Sequence, residues 1–154
     1  MKFMNTISRV ALIAIAVSLL AISAVAQEKK ITAKDVPAAV MSAFKTAYPN
    51  ATIRGYAREK EKGKVFYEIE SREGTLHRDI LYNADGTVAE IEESMAATDL
   101  PSEVQEAFRK RYPKAVITLA ERTTIGDKIN YEVSGKVGKK KVSMEVDPSG
   151  KVLK

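Results

Sequence analysis

Residues 35–49 read DVPAAVMSAFKTAYP, and residues 99–113 read DLPSEVQEAFRKRYP. Val40, Phe44 and Tyr48 in the first stretch, and Val104, Phe108 and Tyr112 in the second, fall at helical spacing. Val36, Ala43 and Ala47, or Leu100 and Ala107, lie beside them. Each set makes one apolar stripe along its helix. Pro37 and Pro101 suit a first helical turn, where the missing N–H leaves no bond unmade. Asp35 and Asp99 are close enough to cap the free amides or to oppose the positive helix end. Pro49 and Pro113 stop both helices, because a residue before proline avoids helical angles.

Outward from these stretches, a shift of 64 carries residues 33–88 onto 97–152 without a gap, and seventeen of those 56 positions are identical. Tyr67-Glu68 recurs as Tyr131-Glu132, Gly74 as Gly138 and Gly86 as Gly150. Equivalent positions in a duplication do the same physical job twice. After each helix, four short strands are predicted, near 52–60, 64–71, 75–82 and from 87 in the first copy. Val65, Tyr67 and Ile69 alternate with Phe66, Glu68 and Glu70, which is the period of a half-buried strand. Turns at Asn83-Ala84-Asp85-Gly86 and Asp147-Pro148-Ser149-Gly150 separate the later strands. The predicted fold is α+β: two tandem repeats of a helix and a four-stranded antiparallel meander, with helices on one sheet face and the other face open.

Pairing the first two strands around Glu61-Lys62-Gly63 sets Ala57 opposite Tyr67 and Gly55 opposite Ile69 on the inner side. On the outer side Arg54 then faces Glu70, and Arg58 faces Phe66 with Glu68 diagonal. A slip of one residue would reverse the faces.

The N-terminal stretch has a different character. Lys2 and Arg9 precede an almost wholly apolar run from Val10 to Val25, then Ala24-Val25-Ala26 and the polar Gln27-Glu28-Lys29-Lys30. That is the layout of a cleaved secretory signal peptide. The expected organisation is therefore a signal peptide at 1–26, a first repeat at 27–94 and a second at 95–154, with the product in the periplasm or secreted. No stable membrane insertion is expected after cleavage. The chain has no cysteine, so its stability rests on packing and not on cross-links. Removing 1–26 leaves 23 Lys+Arg against 20 Asp+Glu, too mild an excess to suggest nucleic acid as a partner.

The Asp-hydrophobic-Pro…Phe…Tyr-Pro helix, the Tyr-Glu strand and the Asp-x-x-Gly-like turn, all duplicated, resemble the PepSY-like family, also described as beta-lactamase-inhibitor-like. The resemblance covers both repeats. It implies tandem helix-plus-sheet units, export, and binding or inhibition of another protein. It supplies no catalytic motif.

The residues themselves agree. A single histidine, His77, and no cysteine leave no nucleophile pair and no two-histidine metal motif. No enzyme activity, metal or cofactor is expected. The expected function is that of an exported binding module for a protein or peptide, acting as a monomer or weak dimer. Its partner-binding residues are read as Arg54, Tyr56, Arg58, Phe66, Glu68 and His77, with Arg122 and Glu132 from the second copy, all on the open face. The alternative is an envelope protein that binds a small ligand or cation through acidic and histidine side chains.

Overall fold

The computed structural model describes residues 27–153; the expected signal segment lies outside them. Helices α1 (Ala38–Ala47) and α2 (Ser102–Arg111) are set among eight strands: β1 (Gln27–Lys30), β2 (Thr52–Glu61), β3 (Lys64–Glu73), β4 (Leu76–Tyr82), β5 (Val88–Ser94), β6 (Val116–Ile125), β7 (Lys128–Val137) and β8 (Lys140–Val146). The strands form one antiparallel sheet in chain order from β1 to β8.

Both apolar stripes are buried. Val36, Val40 and Phe44 pack on Ile69, Ile80 and Tyr82, while Leu100, Val104 and Phe108 pack on Ala120, Val133, Met144 and Val146. Tyr67 and Tyr131 flank these cores, as their alternation predicts. The helices start one residue after each proline, and the Pro37 and Pro101 carbonyls accept from Met41 and Gln105 at 3.1 and 3.0 Å. Asp35 does not cap α1. Its carboxylate turns back to accept from the Thr32 N–H and hydroxyl at 3.0 and 2.8 Å, which closes a 3-10 turn at Ala33–Asp35. No helix of the described residues is long and apolar enough to cross a membrane.

The shift of 64 extends to the hydrogen-bonded register. Gln27↔Lys60 recurs as Ile91↔Thr124, and Lys30↔Ala57 as Ser94↔Glu121. β5 therefore serves twice: it closes the first meander against β4 and opens the second against β6. The polar lead 27–30, for which no strand was expected, is the corresponding opening strand of the first repeat. The last strand of the second repeat is a single bridge, Val146↔Val152, which matches Tyr82↔Val88.

One expectation is corrected here. The first hairpin turns on two residues, Lys62 (φ 49) and Gly63 (φ 84), so Glu61 pairs with Lys64. Two positive φ angles make the type I′ turn whose twist matches paired strands. The shorter turn slips β2 by one residue and reverses its faces. Tyr56 now pairs with Ile69 and Arg58 with Tyr67, on the helix side, while Ala57 pairs with Glu68 on the open side. A bulge between Ile53 and Gly55 takes up the extra residue, Arg54. The second hairpin places the positive φ at Gly126 (φ 57) and still pairs Ile125 with Lys128. Two different turn chemistries thus deliver one register. Around Gly63 nothing lies within 4 Å of an added Cβ, so Gly63→Ala meets only the backbone penalty. It should lower stability by about 1 kcal/mol, read as a lower urea midpoint at unchanged slope.

Candidate functional site

The alternation of the strands gathers carboxylates on the face away from the helices. Three glutamates stand side by side on consecutive strands, with Glu121 paired to Glu132 and Glu132 to Glu145. A second rung runs Glu70, Asp79, Glu92 across β3, β4 and β5. Beyond the second rung lie Glu68 and Glu90, each paired with Leu81. Like charges directly opposite one another destabilise a sheet. A face shaped by stability alone would alternate the signs, as surface strands commonly do.

Glu68, Asp79, Glu90, Glu92 and Glu121 are half-buried and their protonation responds. Burial pushes Glu68 up to about 8, aided by a side-chain hydrogen bond with Glu59 and by the charges of Glu59, Asp79 and Glu28. Burial likewise raises Glu92 to about 7, with Glu90, Glu121, Asp79 and Glu132 adding to it. Asp79 is raised by burial and by Glu70, against a smaller opposite pull from His77. Glu121 is raised by burial, Glu132 and Asp79. Glu68 and Glu92 therefore hold protons near neutral pH and would release them to a cation. Among the described residues, no group of three or more His, Cys, Asp or Glu is arranged to hold a metal ion.

The expected site residues divide between the two faces. Phe66, Glu68, His77 and Glu132 lie on the open face, among the carboxylates. Arg54 is exposed at the bulge. Tyr56, Arg58 and Arg122 were expected there and are on the helix side, because the two-residue hairpin turns reverse β2 and β6. Tyr56 packs against the first core. Arg58 lies beside Lys29 and Asp35.

Arg122 takes part in a network that joins the repeats. Arg78, with only 8% of its side chain exposed, donates through Nε to Glu93 Oε1 at 2.8 Å. Its guanidinium lies 4.2 Å from the centre of the Tyr48 ring. Arg122 donates to the other oxygen of Glu93. Burial alone would raise Glu93, but the hydrogen bonds from Arg122 and Arg78 outweigh it and hold the carboxyl low. Glu93 thus ties β4, β5 and β6 together across the boundary between repeats. Arg78 has Val142 as its counterpart, so internal symmetry gave no hint of it.

Glu90, Glu92 and Glu121 were missed as face residues. The first two sit in a stretch that reads as a charged junction. The pattern Glu90-Ile91-Glu92, with the apolar residue between, was the available sign of a strand with one wet face.

The family described as beta-lactamase-inhibitor-like, PepSY-like matches residues 23–90 and again 66–154. No curated protein matches the chain. Among solved structures, a candidate periplasmic protein from Bacteroides eggerthii superposes with a TM-score of 0.63 at 19% identity, covering 77% of this chain and 86% of its own. A DUF2874 family protein from Bacteroides uniformis gives 0.62 at 16%, with 77% and 86% covered. A BLIP-like protein from Bacteroides fragilis gives 0.58 at 22%, with 77% and 84% covered. At these identities the likeness establishes the shared fold.

Proposed function

The chain belongs to the beta-lactamase-inhibitor-like, PepSY-like family, and on that premise we propose that it is an exported, non-enzymatic binding module whose open sheet face docks a Lys- or Arg-bearing segment of another protein or peptide. The observation that carries this reading is the unbroken glutamate rung Glu121–Glu132–Glu145. Side-by-side carboxylates repel one another until a cation lies across them. Phe66 and Leu81, half-buried on the same face, offer apolar contact between the charges. Arg109, Lys110 and Arg111 close the last turn of α2, on the covered side. A basic segment is favoured over a bare metal ion because the carboxylates are spread along rungs and do not converge on one point.

The name of the Bacteroides eggerthii protein supports action in the periplasm or outside the cell. That of the Bacteroides fragilis protein supports inhibition as one consequence of docking. The module acts as a monomer or weak dimer and needs no nucleic acid.

The test uses Glu121→Gln, Glu132→Gln and Glu145→Gln together. Wild type should capture a partner from envelope extract, and the triple variant should not. With the purified partner, affinity should fall about tenfold in the variant and should weaken between about 50 and about 300 mM salt. Equal capture by the variant, or affinity indifferent to salt, rejects this face.

A further inference from the structure

The two repeats differ on the open face beside the bulges of β2 and β6. In the first repeat, Glu70 pairs with Gly55 and folds its carboxylate onto it, so that a Cβ there would lie 2.9 Å from Oε2. The next rung outward on that face is Arg72↔His77. Under the shift of 64, Gly55 becomes Leu119, Glu70 becomes Ser134 and Asp79 becomes Ser143, while Arg72 and His77 become Lys136 and Lys141. The second repeat has kept the basic pair and lost both carboxylates.

The result is a hollow of about 470 Å³ lined by Thr118, Leu119, Ser134, Lys136, Lys141 and Ser143. Ser134 pairs with Ser143, and Lys136 with Lys141 directly across the ladder. Among the described residues, no carboxylate lies within 4.0 Å of either ammonium. Two like charges in register repel one another. The hydroxyls and ammonium groups that line the hollow supply donors where the first repeat supplies its own acceptor.

We infer that this hollow receives a carboxylate carried by the docking partner, in the place that Glu70 fills in the first repeat. The inference deepens the docking role of the open face: the partner presents a basic stretch to the glutamate rungs and an acidic group to the lysine pair. Its test does not depend on that role, because the hollow can bind a small carboxylate even if the glutamate rungs capture nothing.

The experiment follows the amide resonances of Ser134, Gly135 and Ser143 while sodium acetate is added, with sodium chloride at equal ionic strength as the control. Saturable shifts confined to the hollow are expected with acetate. Lys136→Gln with Lys141→Gln should weaken the fitted affinity at least about tenfold. Ser134→Glu, which restores the carboxylate of the first repeat, should abolish the acetate response in a protein that remains folded. Two short peptides then identify the source: one uncharged with a free C-terminal carboxylate, the other amidated with one internal glutamate. A response to either supports the hollow as a carboxylate receptor and names its source. Shifts equal to those with chloride, or an acetate response unchanged in both variants, overturn it.

Discussion

Phe108→Ala should lower the unfolding free energy by about 3–5 kcal/mol. The Phe108 side chain is 1% exposed. Its ring lies 5.4 Å from that of Tyr112, and its tip fits over the bare backbone of Gly135, where an added Cβ would come within 2.9 Å of it. Nothing nearby can fill the space once the ring is gone, because the sheet beneath is held in register on both sides. The loss should appear as one cooperative transition and not as melting of the second repeat alone. β5 belongs to both meanders, and Glu93 bonds Arg78 of one repeat and Arg122 of the other. Chemical denaturation followed by circular dichroism, together with calorimetry, checks both points. A loss below about 1 kcal/mol, or two separated transitions, would contradict this packing.

Stability should rise as pH is lowered from about 9 to about 5. Glu68 at about 8 and Glu92 at about 7 hold protons in the folded state that ordinary carboxyls of an unfolded chain release. Their contribution is complete below the ordinary glutamate range and is lost as pH climbs through about 7 and 8, since folding then confines charges that the open chain would separate. Glu93 runs the other way: held low by its two arginines, it contributes above the ordinary range and loses that contribution as the medium turns more acidic. The optimum therefore falls on the mildly acidic side. Both raised groups are about half exposed, so solvent screening reduces the combined gain to about 1–2 kcal/mol. Thermal midpoints across this range at constant ionic strength measure it. Glu68→Gln with Glu92→Gln should flatten the profile, since a glutamine at 68 can still donate to Glu59. A midpoint that instead climbs steadily into alkali would sink this account of the face.

How legible the molecule was can be judged from particular residues. Val40, Phe44, Val104 and Phe108 declared the buried helix faces because a helical period survives in any context that covers one side of a helix. Glu68 and Glu132 were recognised as outward because β3 and β7 alternate cleanly. Tyr56, Arg58 and Arg122 were placed on the wrong face because their strands alternate only weakly, so their orientation hung on whether a turn held two residues or three. Lys62-Gly63 and Gly126-Asp127 decide that through backbone angles that residue types suggest but do not impose.

The duplicated architecture, the two cores and the likeness to the PepSY-like family were thus written in one dimension: they rest on periodicities of 3.6, 2 and 64, which need no knowledge of neighbours. The acidic face, the Glu93 link between repeats and the lysine-rimmed hollow came only with the folded chain. Each is made of side chains distant in sequence that share a rung, and a rung exists only once turns and bulges have set which strand residues stand opposite.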